Sequence, residues 1–570
     1  MAPLIPKTNL DQGVRRLAAR LRPLWVLAVY ATMLGAAYGA HRFVEVAPSS
    51  GVDFKHDASK TSAKYLVEAM GAGVALLDYD SDGLLDIYFV NGAKLAATIT
   101  DDEQPDKSQP RFWNRLYRNL GAWKFEDVTV QAGVAGRGYG MGAAVGDYDN
   151  DGDPDLFVSN FGRDILFRND GDGTFRDVSN EAGIEGQGWS AGAAFLDFDR
   201  DGFLDLFVAQ YLDWDFSKNV PCGPFLPKRR SYCHPRRFGS AQHALYRNLG
   251  DGAFADISKQ SGLSSYPGKG LGVSLGDYDE DGWVDVFVAN DSAPQQLFRN
   301  VDGKKLEEVA VSAGVAYDAE GRDYAGMGTW WSDFDRDGSA DLFVNALGRQ
   351  GYWLYRKNDG QFDPVSKKTG LAAASALRSG WGAGLIDFDN DGWRDLFVAQ
   401  GHVMDDIAES DPALAHREPF LLLGNVFGRF LNVSKVAGPA FESPYAARGA
   451  AFGDLDLDGR VDMVVNVNDA AAVVLRNRSD GGESLTLDLV GAASNRDAVG
   501  ARVMVKTASG KTQTAMVSRA GSYLSSSSKL LHFGLAREAV DKIEIVWPNG
   551  RIQNVPAGPD RRLRIEEPQP

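Results

Sequence analysis

The sequence predicts an all-β protein: a seven-bladed β-propeller, a small C-terminal β-sandwich-like domain and a preceding N-terminal hydrophobic helix. Three observations support this prediction. A nine-residue acidic loop recurs seven times, short apolar runs flank each copy, and the repeats stop near residue 483. A unit of about four short strands cannot bury both of its faces alone, and radial stacking of such units around an axis solves that problem.

The acidic loop is clearest at residues 147–155, where aspartates occupy loop positions 1, 3, 5 and 9 and glycine occupies position 6. We number the seven copies loop 1 to loop 7. Their aspartates are Asp78, Asp80, Asp82 and Asp86; Asp147, Asp149, Asp151 and Asp155; Asp197, Asp199, Asp201 and Asp205; Asp277, Asp279, Asp281 and Asp285; Asp333, Asp335, Asp337 and Asp341; Asp387, Asp389, Asp391 and Asp395; and Asp454, Asp456, Asp458 and Asp462. The constant spacing indicates one structural unit.

The donor pattern of these loops predicts calcium. Four carboxylates within nine residues repel one another unless a cation lies among them. Oxygen ligands on alternate residues around a glycine-permitted turn suit Ca²⁺, whereas Mg²⁺ retains more of its water. Position 12 is apolar, as at Phe89 and Val158, so we expect the aspartate at position 9 to replace the bidentate glutamate of an EF-hand. About seven Ca²⁺ sites are therefore predicted; the alternative is a set of solvated acidic turns.

The acidic composition agrees with the interpretation that the loop aspartates bind metal ions. The chain has 570 residues, a hydrophobic content of 44%, which can form a large core, and a formal net charge of −17. Seven divalent ions would bring that charge close to zero. No basic stripe offsets the acidity, which argues against a nucleic-acid partner.

The first forty residues have the pattern of an export or anchoring signal. Residues 1–22 are basic, and residues 23–40 are free of charge and mostly apolar. The apolar run is long for a signal-peptide core and barely reaches a membrane span. Both a cleaved signal peptide and a transmembrane anchor remain open. We favour an anchor, with residues 1–22 in the cytoplasm and the propeller outside it.

The two cysteines, Cys222 and Cys233, lie eleven residues apart in a proline-rich insertion. In an exported protein this spacing predicts one disulfide that closes a short loop. Two free buried thiols are the alternative.

A second shared block follows each acidic loop. After a strand-like run such as residues 156–158, the sequence reads Leu-Tyr-Arg-Asn at residues 116–119, and similar blocks occur at 166–169, 245–248, 297–300 and 354–357. Such short apolar runs bounded by Gly and Asp are typical of buried strands. The longer repeats hold insertions at residues 93–112, 211–242 and 401–418.

The acidic loops, their glycine lead-ins and the Tyr-Arg-Asn blocks resemble the FG-GAP/VCBS repeats of integrin α-chain propellers, over residues 50–480. Residues 495–502, 521–525, 532–535 and 546–550 resemble the ASPIC/UnbV domain, which would occupy residues 483–566. Together they are similar to the cartilage acidic protein-like family. This resemblance implies an extracellular, calcium-dependent protein and implies no reaction.

Motifs that could indicate catalysis are weak. Ser190 lies in a Gly-x-Ser-x-Gly pattern, but five other repeats have glycine in the same place, and no helix is expected after it. Gly510-Lys511-Thr512 lacks the earlier glycine of a phosphate-binding loop. His532 is interpreted as a structural side chain. We predict no catalytic residue and no organic cofactor.

Two features could serve binding. Trp283 and Trp393 occupy position 7 of their loops, where exposed rings would suit sugars or prolines, although loop packing is the simpler interpretation. Residues 228–230 with Arg236 and Arg237 form a basic cluster that would suit a sulfated or carboxylated glycan, and a solvated loop is the alternative.

These observations favour an exported recognition or adhesion module that binds a protein or polysaccharide at the cell surface. Two other functions remain open at this point. One is a hydrolase or lyase with its active site in the central channel, and the other is an accessory factor in secreted-metabolite or envelope biosynthesis.

Overall fold

The computed structural model describes residues 41–99, 105–184, 186, 188–223, 229–556 and 558–569. The predicted basic segment 1–22 and the apolar segment 23–40 lie outside the described residues. Among the residues that are described, no helix is both long enough and apolar enough to cross a membrane. The prediction of an all-β protein is confirmed.

Seven sheets share one pattern of four antiparallel strands, and we call these sets of four repeat sheets 1 to 7. Two of them carry further strands: Tyr324–Ala325 pairs with sheet 4, and Ser525–Ser526 pairs in parallel with the first strand of sheet 1. The strands, from the first to the fourth in each sheet, are Val74–Leu77, Asp86–Phe89, Arg115–Asn119 and Phe125–Asp127; Tyr139–Gly146, Asp155–Phe161, Ile165–Asn169 and Phe175–Asp177; Ser190–Leu196, Asp205–Gln210, Ala244–Asn248 and Phe254–Asp256; Gly270–Gly276, Asp285–Ala293, Gln296–Val301 and Lys305–Glu308; Thr329–Ser332, Asp341–Val344, Trp353–Asn358 and Gln361–Pro364; Gly380–Ile386, Asp395–Gln400, Leu421–Val426 and Arg429–Asn432; and Ala447–Gly453, Asp462–Val467, Val473–Asn477 and Phe43–Glu45.

The first strands of successive repeat sheets are neighbours, and that of sheet 1 also contacts that of sheet 7. The fourth strand of sheet 7 comes from the other end of the described chain, because Phe43 pairs with Asn477. Across the described residues the seven sheets remain separate ladders and do not join into one closed sheet.

Apolar residues fill the space between successive repeat sheets. Tyr88 and Leu116 of sheet 1 belong to the same buried cluster as Val145 and Val158 of sheet 2. Both faces of the second strands are covered, and every residue of Asp205–Gln210 is buried. This burial explains why these strands appear in the sequence as continuous apolar runs.

The C-terminal residues form two further sheets that enclose a core of their own. One has the strand order Leu531–Ala536, Glu483–Val490 and Arg562–Glu566, and the other has the order Thr512–Met516, Arg502–Thr507, Val540–Val546 and Ile552–Pro556. The side chains of Leu487, Val505, Phe533, Ile543 and Trp547 are buried between them. We call residues 483–569 the C-terminal domain.

The remaining elements are short. Three strand pairings join Leu212–Asp213 to Gly239–Ser240, Tyr324–Ala325 to the second strand of sheet 4, and Ala520–Gly521 to Ser525–Ser526. The α-helices are Ala47–Ser50, Val67–Met70, Thr129–Ala132, Ala310–Ala313, Ser366–Thr369, Leu371–Ser375, Ile407–Ser410 and Ser434–Ala437, and the 3₁₀ turns are Pro110–Phe112, Phe216–Lys218, Pro235–Arg237, Leu263–Ser265 and Pro439–Phe441.

A turn of the C-terminal domain enters the space that the first strands surround. The Tyr523 hydroxyl donates to the Met70 carbonyl at 2.7 Å, and its ring packs edge-on against Trp381. The Ser522 hydroxyl donates to the Ala450 carbonyl at 2.7 Å, and the Ala143 amide donates to the Leu524 carbonyl. This turn, which we call the central turn, therefore contacts several repeat sheets at once.

Candidate metal centres and the insertion face

Each acidic loop joins the first two strands of its repeat sheet, and its backbone bends in the same way in all seven copies. The residue at position 4 has a left-handed φ, which is 60° at Asn150, and the glycine at position 6 is also left-handed, at 105° for Gly152. Residues with a Cβ atom rarely adopt the φ found at position 6. The glycine therefore lets the chain fold back so that its carboxylates face one another.

Positions 1, 3 and 9 are the positions that the structure brings together. In loops 1 to 4, one oxygen from each of these three aspartates lies within 4.8 Å of the other two. The position-5 carboxylates lie outside these triads. They accept the backbone N–H of position 7 instead, as Asp82 does from Leu84 at 3.0 Å.

The aspartate at position 9 also anchors the loop to the sheet. One oxygen of Asp86 accepts the Tyr79 amide at 3.0 Å, and the other accepts the Asn119 amide at 2.7 Å. The same pair of bonds occurs in every repeat. The sequence analysis assigned this aspartate to the metal alone and missed its anchoring role.

Buried carboxylate oxygens without a hydrogen-bond partner provide a test of whether the loops fit a cation. Six loops contribute such atoms, namely the Oδ1 atoms of Asp80, Asp147, Asp197, Asp199, Asp277, Asp335 and Asp456. Leaving a buried polar atom unsatisfied costs about 1–3 kcal/mol, and more for a charged group. A hard divalent cation would satisfy these oxygens, so the donor set of the six loops fits Ca²⁺.

Burial also disfavours the ionised form of these carboxylates when no cation is bound. It raises the pKa of Asp78 to about 6, of Asp147 to about 7 and of Asp86 to about 8, with the neighbouring aspartates adding to the shift. The ionised loop therefore requires positive charge close by.

The Tyr-Arg-Asn block supplies part of that charge. The Nε atom of Arg118 lies 2.7 Å from Asp80 Oδ2, and Arg299 and Arg356 contact position 3 of loops 4 and 5 in the same way. In loop 7, Arg476 Nη2 lies 2.6 Å from Asp456 Oδ2. The arginine thus takes one oxygen of position 3 and leaves the other facing the loop interior.

The asparagine of the same block links each loop to the previous one. The Asn169 side chain donates to the Tyr79 carbonyl of loop 1 at 2.8 Å. Equivalent bonds run from Asn248, Asn300, Asn425 and Asn477 to the preceding loop, and Asn119 reaches loop 7. In repeat 5 the residue is Lys357, which instead contacts Glu280 of loop 4.

The C-terminal domain covers the end of the molecule where the acidic loops lie. Arg502 Nη1 lies 2.8 Å from Asp277 Oδ2, and the Ser484 hydroxyl donates to the Gly459 carbonyl at 2.7 Å. The Asp147 amide donates to Asp497. Although burial opposes ionisation of Asp497, Lys529 and Arg519 lower its pKa well below the usual range. An ionised carboxylate therefore lies at this contact.

The long insertions lie at the opposite end, because they follow the second strand of each sheet rather than the first. The Tyr232 hydroxyl donates to Glu68 at 3.0 Å, Lys64 pairs with Asp405, and Arg229 pairs with Glu409 at 2.7 Å. We call the described parts of residues 57–70, 93–112, 211–242 and 401–418 the insertion face. Cys222 and Cys233 form a disulfide within it, with a Cα–Cα distance of 5.2 Å.

The structure places the candidate binding residues in packed surroundings. The Trp283 ring lies under the guanidinium of Arg200, and Trp393 packs edge-on against Phe427. These contacts favour loop packing over a free aromatic platform. Lys228 lies outside the described residues, and Arg236 pairs with Asp323 at 3.0 Å.

The weak catalytic motifs have structural partners. Ser190 is fully buried; its hydroxyl donates to Asp164 at 2.7 Å and accepts from Gln210 at 2.8 Å. Neither partner is a histidine. His532 hydrogen bonds to Asn390, and burial lowers its pKa to about 3, in keeping with a structural role.

Comparison with protein families agrees with the repeat pattern. An FG-GAP-like repeat model matches residues 78–158, 147–208, 238–288 and 333–398, and the ASPIC and UnbV model matches residues 491–570. The chain carries FG-GAP repeats and an ASPIC/UnbV domain. This confirms the resemblance on which the sequence analysis relied.

Cartilage acidic protein 1 is a relative of this FG-GAP repeat protein. The human protein is 27% identical over 315 residues, which cover 54% of this chain and 45% of the human protein. The mouse protein is 26% identical over 307 residues, or 53% and 45% of the two chains. The match therefore spans less than half the length of these relatives.

Solved structures resemble the chain at low scores. An Agrocybe aegerita lectin described as recognising non-reducing terminal N-acetylglucosamine has a TM-score of 0.37 and 15% identity, and the match covers 70% of this chain and 87% of the lectin. BBS1N in complex with ARL6DN has a TM-score of 0.39 and 8% identity, with 77% and 98% coverage.

Proposed function

We propose that this FG-GAP repeat protein is an exported seven-bladed propeller that recognises a protein or polysaccharide at the cell surface through its insertion face. The observation that carries the proposal is the division of the molecule. The acidic loops and the C-terminal domain share one end, and the insertions are joined to one another at the other end. That leaves the insertion face as the end at which a partner could bind.

The propeller part of the proposal rests on how the repeat sheets follow one another. Seven sheets of one pattern have adjacent first strands, and strand Phe43–Glu45 completes the last sheet. The side-chain bonds from each asparagine to the preceding loop run around the series and return from sheet 1 to loop 7. A ring of blades accounts for all three observations.

We propose Ca²⁺ as the ion of the acidic loops. Six of them present buried carboxylate oxygens that have no other partner, and oxygen-only donor sets favour calcium over transition metals. When bound, the ion would neutralise each cluster and cross-link the two strands that the loop joins. The protein's own asparagine bonds would then transmit that rigidity from blade to blade.

The insertion face has the features of a built surface. The insertions come from four separate parts of the chain, and ion pairs such as Arg229–Glu409 hold them together. A disulfide fixes one insertion, and disulfides persist in oxidising compartments, which supports export. Loops held by a rigid scaffold are a common arrangement for recognition.

A channel active site has less support. Tyr523 and Leu524 are fully buried at the centre of the repeat sheets, where such a site would need open space. A hydrolase or lyase at this level of the channel would require the central turn to leave.

A binding screen tests the proposal. Purified protein would be applied to arrays of glycans, cell-wall polymers and extracellular proteins, in millimolar calcium and in excess chelator. We expect a calcium-dependent ligand whose affinity falls at least tenfold in the Arg229→Glu/Arg230→Glu variant. The matched control is Arg429→Glu, an exposed position on an outer strand of sheet 6.

Two outcomes would contradict the proposal. One is a ligand that binds both variants equally, because its site would then lie outside the insertion face. The other is the absence of any ligand together with co-purification of a biosynthetic enzyme, which would favour an accessory role.

A further inference from the structure

We propose that loop 6 takes no calcium ion, because the imidazole of His41 lies among its carboxylates and the side chain of Arg394 lies close by. The inference deepens the proposed function and rests on calcium binding at the other six loops. Loop 6 has the same four aspartates as its relatives, so nothing in its acidic pattern distinguishes it. Its surroundings do.

The first difference is Arg394, at position 8 of the loop. The other six loops have apolar residues at that position, namely Leu85, Pro154, Leu204, Val284, Ala340 and Val461. Arg394 is buried, its Nη1 donates to the His532 carbonyl at 2.8 Å, and Asp387 is the strongest of its charged neighbours. A permanent cation therefore lies close enough to Asp387 to interact with its charge.

The second difference is the loss of the arginine from the Tyr-Arg-Asn block. Repeat 6 has Gly424 at that position. A Cβ atom added to Gly424 would lie 3.1 Å from the His41 Cε1 atom, closer than most real contacts. The glycine thus leaves room for a side chain that comes from the other end of the described chain.

His41 uses that room to enter the carboxylate cluster. Its Nε2 atom lies 3.0 Å from Asp395 Oδ2 and 3.9 Å from Asp389 Oδ2, and all three residues are buried. Calcium would need to lie 2.3–2.6 Å from those oxygens and prefers oxygen to nitrogen ligands. The imidazole therefore occupies the space beside the position-3 and position-9 carboxylates that a calcium ion would occupy in the other loops.

The third difference is hydrogen-bond satisfaction. The six other loops each leave at least one buried carboxylate oxygen without a partner, and among the described residues loop 6 contributes none. Backbone groups also cover this loop: the Ala536 amide of the C-terminal domain donates to the Asn390 carbonyl, and the amide of Gly482, just before that domain, donates to the Asp389 carbonyl. Unsatisfied carboxylate oxygens therefore favour a metal ion in the six other loops, and their absence argues against one in loop 6.

Counting and locating bound ions tests the inference. We expect about six calcium ions in the wild-type protein after dialysis against calcium and removal of loosely bound metal, measured by elemental analysis. Anomalous diffraction at a calcium-sensitive wavelength should place an ion in every loop except loop 6. The position-3 variants form a matched pair: Asp149→Asn in loop 2 should lose one ion, and Asp389→Asn should lose none.

Restoring the pattern of the other repeats should create the missing site. The triple variant His41→Ala/Gly424→Arg/Arg394→Leu removes both of these side chains and returns the usual arginine. If this variant folds, it should bind one calcium ion more than the wild type. If it does not fold, the ion count and ion positions of the wild type still test the inference.

Three results would overturn the inference. A calcium ion in loop 6 of the wild type would do so, and so would a zinc or manganese ion held there by His41. If no loop binds calcium, the proposed function fails first, and this inference fails with it. An empty loop 6 beside six occupied loops is the supporting result.

Discussion

The side-chain amide of Asn119 donates a 2.9 Å hydrogen bond to the carbonyl of Leu455 and so joins repeat sheet 1 to loop 7. The two residues are 336 positions apart in the sequence. Six asparagines make this type of bond, and this one spans the first and last repeats. It is the bond whose loss should most directly separate the two ends of the series.

We therefore expect Asn119→Ala to lower the free energy of unfolding by about 1–3 kcal/mol, because it leaves two buried carbonyl oxygens without their donor. Urea unfolding would measure the change. The control is Asn358→Ala, whose exposed side chain bonds only to Asp363 at the surface among the contacts of the described residues. Equal effects of the two substitutions would contradict the prediction.

Removal of calcium should destabilise the protein strongly. Each occupied site contributes about 2.7 kcal/mol when free calcium is 100 times its dissociation constant, because the ion binds only the folded state. Several such sites should lower the melting temperature by tens of degrees in excess chelator, as calorimetry would record. A melting temperature that chelator leaves unchanged would argue for solvated acidic turns instead.

Removal of the Tyr523 side chain from the central turn should weaken the contact between the repeat sheets and the C-terminal domain. Tyr523 is fully buried, so Tyr523→Ala should cost about 3–5 kcal/mol, whereas Tyr523→Phe should cost only about 1 kcal/mol for the lost bond to the Met70 carbonyl. Limited proteolysis of the two variants would report the loosening. Similar digestion of Tyr523→Ala and the wild type would contradict a packing role.

Stability should depend on pH through Asp164, which lies away from the acidic loops. Burial raises its pKa to about 7, so the folded state favours the protonated form. This contribution is fully present below the unfolded pKa of about 3.9 and is lost as the pH rises through about 7. In saturating calcium, Asp164→Asn should flatten the fall in unfolding free energy between pH 4 and pH 7. Parallel pH profiles of the two proteins would contradict it.

Ser190 illustrates how the repeat pattern corrected a motif. Its Gly-x-Ser-x-Gly context suggests a nucleophile, but alignment of the repeats places it at the start of a first strand. The structure agrees, because Asp164 and Gln210 hold its hydroxyl in a buried network. The repeat alignment therefore predicted the role of Ser190 better than the five-residue motif did, because it took the whole repeat into account.

The sequence by itself determined the acidic loops, their glycines and the all-β class, because each depends on residues only a few positions apart. A carboxylate spacing and a left-handed glycine specify a turn wherever it lies in the fold. The same local signal could not show that position 5 lies outside the oxygen triads, as Asp82 does.

Only the tertiary structure decided which groups meet the loops from elsewhere. His41 reaches Asp395 across 354 residues, and Tyr523 reaches Met70 across 453. Such contacts depend on how complete sheets stack and on where the C-terminal domain lies, and no spacing in the sequence encodes them. Seven loops that share one aspartate spacing are therefore made unequal by the side chains that meet them.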